Sequence, residues 1–259
     1  MHKMNGTTKK RLYVIGTGPG KTSGMTGEAL SALEESDVIA GYPVYLELLP
    51  EKLKEKDKIA TGMTQELERC RLALEAADSG KTVSMVCSGD AGVYGMAGPV
   101  LSLAEQYPEV EVDVLPGVTA ATAGAAVLGA PLMHDFAVIS MSDRLTPMEQ
   151  IERRLRLAAE GDFVIVIYNP ESRGRAGYLR KACDILLEVL PEDRPAGYVR
   201  QIGREGESVW LGSLKELREQ TVDMFTTVYI GNSTTGIRDG KMITERGYLK
   251  KLSSTPEAK

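Results

Sequence analysis

The chain has 259 residues, of which 42% are hydrophobic and 26% charged, with a formal net charge of −5. This is ordinary globular composition, long enough for one large or two modest domains. The negative balance leaves no basic field for nucleic acid or an anionic membrane, and one Trp with three Phe offers little for base stacking. The three cysteines, Cys70, Cys87 and Cys183, are far apart and odd in number. They read as buried thiols in a reducing compartment rather than as disulfides, a zinc site or an iron–sulfur cluster. The first residues are basic and polar, and no window approaches the 18 apolar residues of a membrane span. A cytoplasmic protein with no membrane, nucleic-acid or metal partner is expected.

The first element is the strand Leu12-Tyr13-Val14-Ile15, closed by Gly16-Thr17-Gly18-Pro19-Gly20. Pro19, and a helical signal that resumes only at Thr26, spoil the G-x-G-x-x-G turn that sets a helix N-terminus on a pyrophosphate. The strand 38–40 then runs into Gly41-Tyr42-Pro43 with no acidic residue to hold a ribose. A nicotinamide dehydrogenase is disfavoured on both counts. Residues 26–35 read as a helix with Leu30 and Leu33 on one face. Residues 64–79 read as an amphipathic helix with Leu67, Cys70, Leu74 and Ala77 inward, Thr64 as N-cap and Gly80 at C′. Residues 81–87 and 110–115 are strands, and residues 118–128 (VTAATAGAAVL) form a helix of small residues packed on every side.

Gly129-Ala130-Pro131 reads as a break, after which the pattern restarts. Residues 136–141 are a strand. Thr146-Pro147-Met148-Glu149 reads as a capping box opening a helix to Glu160, with Ile151, Leu155 and Ala158 inward. The strand 163–168 ends at Asn169-Pro170. A helix over 175–190 buries Tyr178, Ala182, Ile185 and Val189. The strand 196–200, a second capping box at Ser213–Glu216 and the strand 225–230 follow, and the tail from Ser253 is polar. Alternating strands and helices in two runs point to two α/β domains, 1–131 and 132–259.

The most informative stretch is VSMVCSGDAGVYGMAG, residues 83–98. An apolar strand breaks into Ser88-Gly89-Asp90-Ala91-Gly92, and a helical run follows past Pro99. This arrangement brings a ligand to the carboxyl end of a parallel sheet. Glycines let main-chain N–H groups approach a ligand closely. Asp90 adds a negative charge unsuited to phosphate, so the loop suits a zwitterion carrying an ammonium and a carboxylate. The same residues read equally as a tight strand-to-helix turn with Asp90 as helix cap. The first turn of the 118–128 helix exposes N–H groups beside Thr119 and Ala120, a second loop-to-helix ligand site.

Taken in order, GTGPG, SGDAGVYGMAG, LPGVTAATAGAAVLGAPLMHDF and VIYNPES resemble the tetrapyrrole (corrin and porphyrin) methyltransferases. HDFAVISMSDRLTPMEQIERRL and IYNPESRGR narrow the resemblance to the C17-methylating, corrin-ring branch that acts on precorrin-3B or cobalt-factor III. The resemblance implies a two-lobed α/β fold, each lobe a mainly parallel or mixed sheet flanked by helices. It implies S-adenosylmethionine as cofactor, bent in the cleft between the lobes and released as S-adenosylhomocysteine, a tetrapyrrole substrate and a homodimer. Ser88, Gly89, Asp90, Val93 and Tyr94 then hold the methionine end, with Thr119 and Ala120. Tyr168 and Asn169 meet ribose and adenine, and Gln201, Ile202, Thr226 and Thr227 edge the adenine pocket. Gly16, Pro19, Gly20 and Ser142 fall on the substrate side. The other readings are another corrin methylase of the same family or the diphthamide-pathway enzyme and, more distantly, a non-catalytic tetrapyrrole or nucleotide carrier.

Some candidates have bland alternatives. His134 and Asp135, at the break, are catalytic candidates by position alone, and a lone His is more often structural. Ser142-Asp143-Arg144 suits either a loop cap or a propionate. Arg173, Arg175, Arg200 and Arg204 suit carboxylate binding, although solvated arginine is the default.

Overall fold

The computed structural model describes residues 10–172, 174 and 176–248. The chain divides into two units, one ending at Ala120 and the other beginning at Ala121. The division falls before the 118–128 helix, not at the Pro131 break. The tail from Ser253 and the arginines Arg173 and Arg175 lie outside the described residues.

In the first unit β1 (Arg11–Gly16) leads through a short turn of 3-10 helix to α1 (Gly27–Glu35), where Thr26 accepts a hydrogen bond from the Ala29 N–H as N-cap. Then come β2 (Val38–Gly41), α2 (Pro43–Glu47), α3 (Glu51–Lys54), β3 (Asp57–Ala60), α4 (Glu66–Asp78), β4 (Thr82–Cys87), α5 (Ala97–Ala104) and β5 (Glu111–Leu115). These strands form one sheet in the order β3-β2-β4-β1-β5, parallel throughout. Helices cover both faces, as an all-parallel sheet requires. Period-two alternation divides β1 between two cores. Leu12 and Val14 pack with Leu74 of α4 and Val100 of α5. Tyr13 and Ile15 pack on the other face with Ala29 and Leu33 of α1.

The second unit contains most of α6 (Ala120–Leu128), then β6 (Gly129–Ala130), β7 (Phe136–Ser140), α7 (Met148–Glu160), β8 (Val164–Tyr168), α8 (Tyr178–Leu187), β9 (Pro195–Arg200), β10 (Ser208–Ser213), α9 (Leu214–Leu217), β11 (Thr226–Ile230), β12 (Thr235–Arg238) and β13 (Lys241–Thr244). Its main sheet runs β10-β9-β11-β8-β7. Only the β7–β8 pair is parallel, so the sheet is mixed. Ile165, Ile167, Val228 and Ile230 turn one face to Leu155 of α7 and Leu186 of α8. On the other face Tyr229 of β11 and Gly197 of β9 lie against α6: Cβ atoms added at Gly124 and Gly197 would sit 2.3 Å from Tyr229 Oη and 3.7 Å from Leu128 Cδ1. β6 pairs with the β12–β13 hairpin in a small third sheet, so Gly129 and Ala130 are strand rather than break.

Several local expectations change. Thr64 does not cap α4. It has φ 71°, Gln65 takes the N-cap position, and the Thr64 N–H donates to Glu66 Oε1. Leu67 is 65% exposed, while Arg69 takes the inward position. Its guanidinium donates to Thr61 Oγ1 and to the Thr61 and Gly62 carbonyls. The 146–149 box does not form, because α7 begins after Pro147, whose extended backbone makes it the N-cap. The Ser213–Glu216 box forms in full. Val189 lies beyond α8 and is exposed, and α6 is buried along one stripe, Ala121, Gly124, Ala125 and Leu128, rather than all round.

All three cysteines are buried and free. Burial pushes the Cys70 and Cys87 thiols up to about 11 and the Cys183 thiol up to about 12. An unfolded thiol titrates near 8.5. The folded state therefore keeps protons that the unfolded state releases, and this stabilisation is complete below about pH 8.5 and is lost as pH rises toward 11. Native protein at pH 8 should show no thiol reactive toward an aromatic disulfide reagent, and denatured protein should show all three. Rapid native labelling would contradict the burial.

Candidate functional site

In the first unit three strand ends converge without side chains between them. Cβ atoms placed on Gly16 (end of β1) and Gly117 (after β5) would sit 2.7 and 2.2 Å from the Gly89 carbonyl oxygen (after β4). Only glycine permits this approach. Gly18 and Gly89 exchange main-chain hydrogen bonds, Gly18 N–H to Gly89 O at 3.0 Å and Gly89 N–H to Gly18 O at 2.8 Å. The two glycine motifs read separately in the sequence are thus one layer of backbone. A Cβ at Gly89 would touch Thr119 and Ala120 at 3.7 and 3.6 Å, so Ser88, Gly89, Asp90, Thr119, Ala120, Gly16 and Pro19 share one end of the parallel sheet.

Asp90 fastens this layer. Oδ1 accepts from the Gly92 and Val93 N–H groups at 2.8 and 3.1 Å, and Oδ2 accepts from the Gly117 N–H at 2.9 Å. A carboxylate has about four acceptor positions. Three are used, and one position on Oδ2 remains. The turn continues through Tyr94, held at φ 54° and 60% exposed. Gly117 is the partner that sequence reasoning missed; the only signal for it was Pro116-Gly117 ending a strand.

The second unit gathers its candidates in the same fashion. Ser140 pairs with Tyr168, and Thr226 and Thr227 pair with Arg200 and Val199. Since β11 is antiparallel to β8 and β9, Ser142, Tyr168, Asn169, Gln201, Ile202, Thr226 and Thr227 all stand at one end of the mixed sheet. Asn169 and Gln201 have φ 51° and 52°. Such non-glycine residues in the left-handed region cost about 1–3 kcal/mol each and collect at functional sites. Asn169 Nδ2 donates to Ser140 Oγ at 3.0 Å. Tyr168 Oη accepts from the Ala121 N–H at 2.6 Å, and Tyr229 Oη donates to the Ala121 carbonyl at 2.9 Å. Burial pushes the Tyr229 phenol up, so it stays a donor. Ile202 and the two threonines are buried.

His134 and Asp135 are not brought to this group. Both are exposed ahead of β7, where the Asp135 carbonyl accepts from the Val164 N–H at the start of β8. Five strand residues, about 16 Å, separate them from Asn169. Among the arginines, Arg200 is paired with Asp223 at 2.7 Å and Arg204 lies over the Phe225 ring at 5.5 Å. Asp143 is used as a loop anchor, accepting from Tyr178 Oη at 2.7 Å. Among the described residues no three His, Cys, Asp or Glu side chains come together as metal ligands, and no helix is long and apolar enough to cross a membrane.

The family model for tetrapyrrole (corrin/porphyrin) methylases matches residues 11–218. The chain belongs to that family. This methylase is 49% identical over 238 residues to the probable cobalt-factor III C(17)-methyltransferase of Salmonella typhimurium, an alignment covering 92% of the chain and 99% of the relative. The methyltransferase CobJ superposes with a TM-score of 0.84 at 36% identity, covering 90% of this chain and 99% of that one. A uroporphyrin-III C-methyl transferase from Thermus thermophilus, complexed with S-adenyl homocysteine, superposes with a TM-score of 0.68 at 26% identity, covering 85% and 97%. The two-lobed α/β fold expected from the motifs is the fold found.

Asp90→Asn tests the strand-end layer. An amide has one acceptor oxygen and presents N–H groups where the carboxylate accepted them. Loss of one charge-assisted bond should lower unfolding free energy by about 1.5–3 kcal/mol, measured by urea denaturation. A helix cap alone would tolerate the change almost without loss, so unaltered stability would contradict the role assigned to Asp90.

Proposed function

We propose that this methylase transfers a methyl group from S-adenosylmethionine to C17 of a corrin-ring precursor, precorrin-3B or cobalt-factor III, with contraction of the ring during cobalamin biosynthesis. The observation that carries the reading is that Tyr94, Asn169 and Gln201, named from the motifs as cofactor residues, are three of the six non-glycine residues with positive φ among those described. Tyr94 lies in the turn that follows β4, and Asn169 and Gln201 directly follow β8 and β9, so the left-handed residues sit on the loops that the reading assigns to the cofactor. Family membership, and the cobalt-factor III relative at 49% identity over nearly the whole chain, support the substrate class.

The residues present fit the cofactor. When bound, S-adenosylmethionine supplies an electrophilic methyl on a sulfonium sulfur. In this reading the free position on Asp90 Oδ2 accepts from the ammonium, and the 88–94 turn with Thr119 and Ala120 offers main-chain N–H groups to the carboxylate. Tyr168 and Asn169 take the ribose side, and Gln201, Ile202, Thr226 and Thr227 edge the adenine. Gly16, Pro19, Gly20 and Ser142 take the tetrapyrrole side. Because that methyl is already activated toward an electron-rich ring carbon, the residues around it would supply alignment and exclusion of water. Alignment alone can account for about 7–11 kcal/mol of such a barrier. The active form in this reading is a cytoplasmic homodimer.

Incubation with S-adenosylmethionine and each of precorrin-3B, cobalt-factor III and uroporphyrinogen III tests the proposal. A one-methyl mass gain on the first or second, located at C17 by NMR, is expected. Methylation of uroporphyrinogen III alone would overturn the assigned substrate.

A further inference from the structure

The segment after β7 carries a feature that neither the fold nor the cofactor reading uses. Leu145 is 99% exposed. A single exposed leucine is ordinary on a protein surface, but three observations set this one apart. Its loop is pinned on the N-terminal side: the Ser142 N–H donates to Ser140 Oγ, which also accepts from Asn169 Nδ2, and Asp143 accepts from Tyr178 Oη. On the other side Pro147 opens α7. Leu145 is therefore held out on a fastened loop at the same end of the mixed sheet as Tyr168 and Asn169. Beside it, the exposed Arg144 makes no ion pair or hydrogen bond among the described residues, whereas Arg200 and Arg204 at that end are engaged with Asp223 and Phe225.

An apolar side chain next to an uncommitted guanidinium matches one kind of ligand closely: a flat apolar ring whose rim bears carboxylate arms. Leucine gains by covering hydrocarbon, and arginine binds carboxylate in a bidentate fork. Resting on the tetrapyrrole reading given above, we propose that Leu145 and Arg144 form a substrate-contacting tip, with Leu145 against the face of the macrocycle and Arg144 on a carboxylate arm at its rim. The tip sets substrate affinity and takes no part in holding the cofactor.

Leu145→Ser and Arg144→Gln separate the two contacts. Each should raise KM for cobalt-factor III about tenfold, equivalent to about 1.4 kcal/mol, with kcat, the melting temperature and S-adenosylhomocysteine affinity unchanged. The Arg144→Gln effect should shrink at high ionic strength, and the Leu145→Ser effect should persist. A KM within twofold of the wild type in both variants would overturn the proposal. So would an equal loss of S-adenosylhomocysteine affinity, or a change in sedimentation that made the tip an interface between two copies of the chain. If the wild type transfers no methyl to any corrinoid, equilibrium dialysis against cobyrinic acid decides. Tenfold weaker binding by the variants would keep the contact and overturn the transfer reaction, and equal or absent binding would overturn both.

Discussion

The carboxylate of Asp90 is the constraint on which the first unit's functional end depends. Parallel strands stop at the same edge of the sheet, and their following loops must turn away within a few residues. Here β1, β4 and β5 end so close together that Gly16, Gly89 and Gly117 touch main chain to main chain. Three N–H groups from two of those loops then point at one side chain. Each is a charge-assisted bond of about 1.5–3 kcal/mol, and leaving any of them unmade in a crowded layer would cost a comparable desolvation penalty. The glycines bring the loops together, and Asp90 keeps them there. A loop fixed in this way presents its remaining amides without an ordering cost at the moment of binding.

The second unit fixes its end by a different device. Two tyrosine hydroxyls, one from β8 and one from β11, grip the amide group and carbonyl of Ala121, where α6 begins. Gly124 is one turn further along, and any side chain there would meet Tyr229 Oη. That contact explains the glycine at position 124, and burial of α6 is confined to the stripe of Ala121, Gly124, Ala125 and Leu128. Strain is concentrated at Asn169 and Gln201, which leave their strands in the left-handed region. Hydrogen bonds to Ser140 Oγ and to the Phe225 carbonyl hold them.

The buried strands and the helices around them were legible because their patterns are local. VIVIY and the apolar strand before Ser88 are β-branched runs of strand length bounded by turn residues, and the spacing of Ile151, Leu155 and Ala158 fixes the inward face of α7. The short edge elements were not legible. β3 is DKIA, β10 contains Gly212, and β12–β13 are four residues each; their place depends on partners distant in sequence, which no local period encodes. Arg69 was hidden because its burial follows from hydrogen bonds to Thr61 and Gly62, not from apolarity. At the candidate site, the glycine and Asp residues could be picked out from composition and resemblance. That the GTGPG and SGDAG loops are one hydrogen-bonded layer, and that His134 stands at the far end of its sheet, follows only from topology.

The proposal to be tested assigns the cofactor's methionine end to the 88–94 turn and its nucleoside to the residues after β8 and β9, with the 16–20 loop left to the tetrapyrrole. A crystal structure of the protein with S-adenosylhomocysteine tests it most directly. The account predicts the amino acid moiety at Asp90 Oδ2 and the main-chain amides near Thr119 and Ala120, with the nucleoside against Asn169, Gln201 and Ile202. A nucleotide confined to Gly16, Pro19 and Gly20 would reverse the assignment of the two glycine motifs and contradict the account.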